Sequence, residues 1–324
     1  MRKVLITGES GFIGSHLVDF FCTKYPEYII HGLDSLTYAS CKEYTQHLNN
    51  TNNYYFHKVD ICNRDALFEL FRVNKFTDVI HLAAESHVDN SINNPLIFAN
   101  TNIIGTLNLL DAFRKYSIGK FHHVSTDEVY GDLEFSSPSF NESSPYRPSS
   151  PYSASKAASD HFVRAYHRTY NLNISITNCS NNYGPHQHNE KFIPTIIKSI
   201  IDHKNIPIYG KGDNIRDWLF VLDHIEAIDI VFHKAESGKT YNIGANTELS
   251  NLEMVKLICE ICKTKNIHKN PLSLISFIED RAGHDRRYSI DNTKIRADFG
   301  WKPKLELRQA LSFTIDWYYK KLKF

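Results

Sequence analysis

The sequence predicts an α/β protein built on a Rossmann-like, doubly wound parallel sheet, with a smaller α/β substrate-binding lobe. Three observations favour this class: short β-branched runs alternate with helical patterns, a glycine-rich turn joins the first strand to the first helix, and the pattern loosens after residue 180. Strands that alternate with helices build a parallel sheet covered on both faces. Predicted strands cover residues 4–7, 29–34, 54–59, 79–82, 121–124 and 174–178, and predicted helices cover 13–24, 64–73, 95–116 and 152–170.

The second half of the chain shows helical patterns at 192–203, 223–234, 252–263 and 308–321, with short strands between them. Ser250 and Glu253 have the spacing of a capping box, which supports a helix start there. Residues 1–180 are therefore predicted as a dinucleotide-binding domain and 181–324 as the smaller lobe, with an approximate boundary that allows segments to interleave. The ligand is expected in the cleft between the two. The segment 134–151, rich in serine and proline, is predicted as a long loop.

Composition limits the classes of function. The 324 residues are 42% hydrophobic and 23% charged, with a formal net charge of +1. This balance gives no long-range field towards nucleic acid or a membrane surface, so neither is expected as a partner. No apolar run of about 18 residues occurs, and the N-terminal apolar stretch ends at Gly8, too early for a signal peptide. We expect a cytoplasmic protein whose six cysteines stay thiols, and we expect no metal site at Cys259 and Cys262 or among the histidines.

The turn at residues 7–14 carries glycines with the spacing of a dinucleotide site. Such glycines let the backbone approach a pyrophosphate, and the following helix N-terminus offers free N–H groups to it. Asp34 ends the second predicted strand, where a carboxylate accepts hydrogen bonds from ribose hydroxyls and repels a 2′-phosphate. No arginine follows at 35–38, so the sequence predicts NAD rather than NADP. The cofactor contacts predicted in these segments are Gly8, Gly11, Phe12, Ile13, Gly14, Asp34, Ser35 and Thr37.

Tyr152 and Lys156 lie four residues apart on one face of a predicted helix. A nearby ammonium favours the phenolate and lowers the phenol pKa from its usual value of about 10, and the positive nicotinamide ring of NAD would help. The pair is therefore predicted to take a proton from a sugar hydroxyl while hydride leaves its carbon. With the glycine turn and Asp34 upstream, the combination resembles the extended short-chain dehydrogenase/reductase family over essentially the whole chain.

Thr126, Asp127 and Glu128 follow a predicted strand just ahead of this helix, and they resemble the nucleotide-sugar 4,6-dehydratases, dTDP-glucose 4,6-dehydratases in particular. The resemblance implies that oxidation at C4 of a nucleotide-linked glucose acidifies the C5 proton. It makes Glu128 the base at C5, Asp127 the acid at O6, and Thr126 a hydroxyl that orients the sugar near O4. The two carboxyl groups must hold opposite protonation states, so their surroundings should separate their pKa values. The predicted catalytic residues are Thr126, Asp127, Glu128, Tyr152 and Lys156.

Other segments match the same family in their order along the chain. The resemblance implies cofactor contacts at Asp60, Ile61, Leu82, Ala83, Ala84, Ser86, Thr101 and Asn182, besides Tyr152 and Lys156. It implies substrate contacts at Ser86, Thr126, Asn181, Lys191, Phe192, Pro207, Tyr209, Arg216, Asn251, Arg281 and His284. Arg216 suits a diphosphate, because a guanidinium binds two oxygens at once. The family also implies a nucleoside-diphosphate-glucose substrate, a homodimer, and a role in making rhamnose or another deoxysugar.

The chain departs from the family's usual residues in two segments. Glu9 and Ser10 stand where the turn usually has small residues, and Ala282 stands where proline is frequent. Since a carboxylate near a pyrophosphate is unfavourable, Glu9 is predicted to point outward.

Two alternative functions are considered. A nucleotide-sugar epimerase or decarboxylase of the same fold is disfavoured by residues 126–128, and a non-catalytic nucleotide-sugar sensor is disfavoured by the retained tyrosine and lysine. The choice between dTDP and UDP stays open, because one methyl group shifts binding by only about 1–3 kcal/mol.

Overall fold

The computed structural model of the protein describes residues 1–280 and 283–323. Its strands in chain order are β1 (Lys3–Thr7), β2 (Ile29–Asp34), β3 (Tyr54–Lys58), β4 (Asp78–His81), β5 (Phe121–Thr126), β6 (Ile174–Cys179), β7 (Asn181–Tyr183), β8 (Ile206–Tyr209), β9 (Ile215–Phe220), β10 (Lys239–Ile243), β11 (Glu248–Ser250) and β12 (Ile275–Ile278). Seven of them form the central sheet in the order β10-β6-β5-β4-β1-β2-β3, with every neighbouring pair parallel. The predicted fold class is confirmed. The strand order reverses between β1 and β4, which is where such sheets place their ligand crevice.

Helices cover both faces of this sheet. In chain order they are α1 (Phe12–Lys24), α2 (Arg64–Asn74), α3 (Val88–Asn93), α4 (Pro95–Phe98), α5 (Thr106–Tyr116), α6 (Pro151–Tyr170), α7 (Phe192–Ile201), α8 (Val221–Lys234), α9 (Asn251–Thr264), α10 (Thr293–Phe299) and α11 (Leu307–Lys323). A π-helical segment, Ala99–Gly105, joins α4 to α5, so the predicted helix 95–116 is continuous. Single 3₁₀ segments cover Lys42–Asn50, Asp127–Tyr130 and Pro271–Leu274.

The second half of the chain contributes one strand to the central sheet and forms two smaller sheets. Strand β10 returns to the central sheet beside β6, while β7, β9 and β11 form one small sheet and β8 and β12 another. Helices α7, α9 and α11 pack around a separate core that includes Ile197, Ile258 and Ile315. The predicted capping box opens α9, with the Glu253 amide donating to Ser250 Oγ at 3.2 Å. The smaller lobe therefore has its own apolar core, although one of its strands belongs to the large sheet.

The segment between the 3₁₀ turn and α6 has no helix or paired strand of its own apart from an isolated bridge from Phe140 to Ile290. This agrees with the predicted long loop, with Pro151 already belonging to α6. Ser150 caps that helix, because its hydroxyl accepts from the Ser153 amide at 3.1 Å. Proline at the first helical position loses no hydrogen bond there. The cap fixes where the helix that carries Tyr152 begins.

The helix from Pro95 to Tyr116 differs from the expectation that nothing in the chain could cross a bilayer. Its 22 residues have a mean hydropathy of 1.2 over the most apolar window, enough by length and composition to span one. Half of that window is buried inside the protein, and the helix packs on α2 and α6. Burial against neighbouring helices accounts for the apolar residues on the inner side of this helix, as in the core helix of a globular domain.

The six cysteines are free thiols, and Cys259 and Cys262 lie buried on α9. Burial raises the pKa of the Cys259 thiol to about 11 and that of Cys262 to about 12. A thiol with a raised pKa is a poor nucleophile and a poor metal ligand. Within residues 1–280 and 283–323, no cluster of three or more potential metal ligands was found.

Candidate active site

A cavity of about 360 Å³ opens at the carboxyl ends of the central strands. It extends from the glycine turn after β1, past the end of β5, to the segment that follows β6. Side chains from distant parts of the chain meet there because parallel strands end at the same edge of a sheet. Of the predicted site residues, those that line it are Gly8, Gly11, Phe12, Ile13, Gly14, Asp34, Ser35, Thr37, Asp60, Ile61, Leu82, Ala83, Ala84, Ser86, Thr101, Thr126, Asp127, Glu128, Tyr152, Lys156, Asn181, Asn182 and Lys191.

The glycine turn has no room for side chains at two of its positions. Gly8 has a φ of +73°, and a Cβ there would lie 2.8 Å from the Ala83 nitrogen. A Cβ on Gly14 would lie 2.0 Å from the Gly8 carbonyl oxygen. Helix α1 then starts after Gly11 without a side-chain cap, so its first N–H groups stay available to a ligand. This cradle fits the diphosphate of a dinucleotide.

Asp34 is fixed by hydrogen bonds at the end of β2. Its Oδ2 accepts from the Ser10 amide at 3.0 Å, and its Oδ1 accepts from the Leu36 amide and Ser40 Oγ, both at 2.8 Å. A carboxylate accepts about four hydrogen bonds, so capacity remains for a ribose hydroxyl. Ser40, which the sequence did not single out, also lines the cavity.

Tyr152 and Lys156 are both buried, with 9% and 5% of their surfaces exposed. Lys156 Nζ donates to the Val124 carbonyl at 2.8 Å. In the protein without NAD the phenol pKa of Tyr152 is raised, which is opposite to the net lowering expected from the pair. Burial raises the pKa of Tyr152 well above its usual value, and the Glu128 carboxylate adds to this rise. The phenol therefore needs positive charge beyond Lys156 to act as a base.

A buried Asp160 lies one helical turn beyond Lys156, at a position that the sequence analysis missed. Its Oδ1 is 3.1 Å from His123 Nε2, and both side chains are fully buried. Tyr146 donates its hydroxyl to Asp160 Oδ2 at 2.9 Å. Burial lowers the pKa of Lys156, and the Asp160 charge opposes that effect. The spacing from Tyr152 to Lys156 to Asp160, four residues each, was the available signal.

Asp127 and Glu128 occupy different surroundings at the end of β5. Asp127 is 2% exposed, whereas Glu128 is partly exposed. Burial, with the neighbouring Glu128 and Asp217 carboxylates, raises the pKa of Asp127 well above its usual value. Asp127 Oδ2 has no hydrogen-bond partner among the described residues. The surroundings of Asp127, which lines the cavity, therefore favour the protonated carboxylic acid.

Six predicted substrate residues lie outside the lining of the cavity, namely Phe192, Pro207, Tyr209, Arg216, Asn251 and His284. Arg281 falls outside the described residues, as does Ala282. Phe192 stacks on Trp218 with ring centroids 5.9 Å apart, and the Tyr209 and His284 rings are 6.2 Å apart. The structure thus collects these residues on the smaller lobe, while Asn181 and Lys191 reach the cavity itself.

Arg216 is buried rather than splayed on the surface. Its Nη1 donates to its neighbour's carbonyl, that of Ile215, at 2.7 Å, and its Nη2 donates to the Asp285 carbonyl at 3.0 Å. The guanidinium also lies 4.3 Å from the centre of the Tyr288 ring. Its charge partly opposes the rise in the pKa of Asp127. The guanidinium therefore lies close enough to the catalytic end of the cavity to act on it electrostatically.

Comparison with known proteins adds independent information. A family model described as GDP-mannose 4,6 dehydratase matches residues 5–314. A dTDP-glucose 4,6-dehydratase from Haemophilus influenzae is 48% identical over 332 residues, covering 98% of each chain. The chain belongs to the dTDP-glucose 4,6-dehydratase family of nucleotide-sugar 4,6-dehydratases.

Solved structures of this dehydratase family have the same fold. DesIV, a dTDP-glucose 4,6-dehydratase from Streptomyces venezuelae solved with NAD and TYD bound, superposes with a TM-score of 0.94 at 39% identity, covering 99% of this chain and 98% of that one. A dTDP-glucose 4,6-dehydratase from Bacillus anthracis, solved in complex with NAD, gives a TM-score of 0.90 at 39% identity, covering 100% and 98%.

The prediction that the Glu9 side chain points outward from the glycine turn is wrong. Glu9 does not point outward but is fully buried, with its carboxylate beneath the glycine turn. Lys42 Nζ lies 2.9 Å from its Oε1 and supplies the opposite charge. The residues of the turn do not reveal this ion pair, because Lys42 lies more than thirty residues further along the chain. A solvent-exposed carboxylate was therefore expected.

Proposed function

We propose that the protein is an NAD-dependent nucleotide-sugar 4,6-dehydratase, which converts a nucleoside-diphosphate-glucose to its 4-keto-6-deoxy sugar and water. The observation that carries the proposal is that the buried Asp127 and the partly exposed Glu128 line the same cavity as Tyr152 and Lys156, with the pKa of Asp127 raised by its burial. An oxidoreductase of this fold needs the Tyr–Lys pair, whereas the second acid–base pair serves the loss of water. The activity named for the relatives supports the same reaction.

Each of the central side chains takes one step. Tyr152 removes the proton of the C4 hydroxyl as a phenolate, which the Lys156 ammonium and the positive nicotinamide ring of a bound NAD would stabilise together. A bound NAD, held by the glycine turn and Asp34, would supply the hydride chemistry for oxidation at C4 and reduction at C6. Glu128 takes the C5 proton and returns a proton to C5 when C6 is reduced. Asp127 gives its proton to the departing C6 hydroxyl, while Thr126 orients the sugar. Asp127 suits the acid role because burial raises its pKa and so favours the protonated form.

Assignments to ligands follow the two lobes. We place the cofactor on the predicted lining residues of lobe 1–180, from the glycine turn and Asp34 to Thr101, together with Asn182. The nucleotide-sugar contacts are Ser86, Thr126, Asn181, Lys191, Phe192, Pro207, Tyr209, Arg216, Asn251, Arg281 and His284. Lobe 181–324 supplies most of the nucleotide-sugar contacts, although its strand β10 belongs to the central sheet of lobe 1–180. A shared cleft is supported by the contact of Lys191 Nζ with the Ser86 carbonyl at 2.8 Å.

The reaction and its substrate are tested by supplying dTDP-glucose and UDP-glucose to the purified protein with NAD. We expect a 4-keto-6-deoxy product, identified by mass spectrometry as the loss of one water, and a higher kcat/KM with dTDP-glucose, as for the named activity of the relatives. A product that keeps the mass of the substrate would indicate an epimerase instead. Equal kcat/KM values would leave the dehydratase assignment standing and contradict the dTDP preference.

We further propose that the protein forms a homodimer through the helical rod 95–116 and α6. Apolar side chains on this rod are unusually exposed, with Leu96 at 79% and Ile97 and Ile104 at 46%. They line a shallow groove together with Asn100. Phe162 on the adjacent α6 is 38% exposed. An apolar surface of this kind is unusual on a monomer and typical of an interface between subunits.

The dimer is tested with Leu96→Asp, which places a charge at the centre of the proposed interface. Sedimentation or light scattering is expected to give the mass of one chain, against two for the unchanged protein, because an unpaired buried carboxylate costs several kcal/mol. Leu272→Asp is the matched control, since Leu272 is 51% exposed on the other lobe. A dimer that survives Leu96→Asp would place the interface elsewhere.

The cytoplasm is the proposed compartment, where nucleotide sugars and a reducing environment for the free thiols would both be available. The 4-keto-6-deoxy product suits enzymes that build deoxysugars, rhamnose among them.

A further inference from the structure

Beneath the glycine turn lies a polar cluster that the proposed reaction does not use. The Glu9 carboxylate is fully buried there. Its Oε1 accepts from Ser10 Oγ at 2.7 Å and from Lys42 Nζ at 2.9 Å, and its Oε2 accepts from the Tyr54 hydroxyl at 3.1 Å. The ion pair thus joins the turn after β1 to the start of the 3₁₀ segment Lys42–Asn50.

The space for this carboxylate is created by a glycine in strand β2. A Cβ on Gly32 would lie 2.7 Å from Glu9 Cγ, so any other residue at 32 would displace the Glu9 side chain. On the opposite side, the Lys42 ammonium lies 3.6 Å from the centre of the Phe56 ring and also donates to the Tyr54 hydroxyl at 2.8 Å. The Glu9 carboxylate is therefore surrounded by three separate segments, which contribute Gly32, the Lys42 ammonium, and the rings of Tyr54 and Phe56.

The cluster is tied to the binding surface for the adenosine diphosphate half of a dinucleotide. Ser10, next to Glu9, donates its amide to Asp34 Oδ2 at 3.0 Å and accepts from the Cys41 amide at 2.8 Å. The Glu9 backbone belongs to the turn that cradles the diphosphate, while its side chain is not among those lining the cavity. An uncompensated negative charge at this place would repel the two negative charges of a diphosphate, and a poorly hydrated site screens that repulsion weakly.

We propose that Lys42 is a positioning residue for the dinucleotide, which acts through Glu9: its ammonium neutralises the carboxylate and holds it beneath the turn, so that the turn can bind a diphosphate. The pair acts on affinity for the phosphates and not on the chemistry of the sugar. Lys42 touches neither the cavity nor the catalytic side chains among the described residues.

The test compares ligands with and without phosphates on the cofactor-free protein. In Lys42→Met, calorimetry is expected to show NAD and ADP bound at least about tenfold more weakly, because the unpaired Glu9 charge repels them. Adenosine, which carries no phosphate, should bind as it does to the unchanged protein. Glu9→Gln removes the charge, while its amide oxygen can still accept from Ser10 and Lys42 and its amide nitrogen can donate to the Tyr54 hydroxyl oxygen. This variant should bind ADP no more weakly than the unchanged protein. The double variant Glu9→Gln, Lys42→Met should recover most of the lost ADP affinity.

A matched control is Lys24→Met, which breaks an ion pair of similar geometry, 2.6 Å from Lys24 Nζ to Asp229 Oδ2, away from the cavity. It should leave ADP affinity unchanged. Equal weakening of ADP and adenosine in Lys42→Met would mean that the pair only supports the fold. If the double variant did not recover ADP affinity, Lys42 would not act through Glu9. Either of these two results would overturn the proposal. If Lys42→Met does not fold, loss of ADP affinity in Glu9→Gln would overturn it independently.

Discussion

Tyr152→Phe is expected to lower kcat by about 10²- to 10⁴-fold, the range for the loss of a general base. Tyr152 and Lys156 both line the cavity and are buried, and no phenylalanine atom can take the C4 proton. The effect should fall on the first step. Single-turnover experiments that follow the absorbance of reduced cofactor after mixing with dTDP-glucose measure this step directly.

The matched control for this prediction is Tyr166→Phe, on the same helix. The Tyr166 hydroxyl donates to Asp111 at 2.8 Å, away from the cavity, and its loss should leave kcat unchanged. NAD affinity should be similar in both variants, because neither change touches the glycine turn. Reduced cofactor forming in Tyr152→Phe at the unchanged rate would show that another group is the base.

Asp127→Asn is expected to slow the loss of water by about 10²- to 10⁴-fold while C4 oxidation changes little. An amide has the shape of the buried, protonated acid but cannot give its proton to the C6 hydroxyl. Reduced cofactor should therefore build up in this variant before product appears, and rapid quenching with mass analysis would detect the 4-keto-glucose form. Asp132→Asn, on the same segment but paired with Arg286 at the surface, should leave every step unchanged.

Glu128→Gln separates the base from the acid. In deuterium oxide the unchanged protein should place deuterium at C5 of the product, because Glu128 removes that proton and exchanges it with solvent. The variant should form reduced cofactor but lose the exchange at C5. Exchange at the rate of the unchanged protein would assign the C5 base to another residue.

The raised pKa of Asp127 also predicts how stability depends on pH. Between the usual pKa of an aspartic acid and its raised value, the folded protein keeps a proton that the unfolded chain has lost. The free energy of unfolding therefore falls as pH rises through this window, by up to about 1.4 kcal/mol per pH unit for this one group. Asp127→Asn should remove that slope, and urea unfolding at several pH values would measure the difference.

Features that depend on neighbours along the chain could be predicted well. The glycine turn, the capping box that opens α9 and the spacing of Tyr152 and Lys156 are set by residues a few positions apart. Their geometry follows from helix and turn rules that apply within one segment. Substrate residues on the smaller lobe could be named only by resemblance, and Tyr209 and His284 lie outside the main cavity. Their relation to the cavity depends on how two lobes pack, which no local pattern records.

The sequence by itself determined the fold class and the chemical groups at the active site, because alternating strands and helices bring strand ends to one edge of a parallel sheet. It also determined that two carboxyl groups stand beside a Tyr–Lys pair. Only the tertiary structure decided the charge states of these groups. Burial raises the pKa values of Asp127 and Tyr152, and Lys42 lies 2.9 Å from the buried Glu9 carboxylate. Desolvation and ion pairing depend on atoms from segments far apart in sequence, and folding alone brings those atoms together.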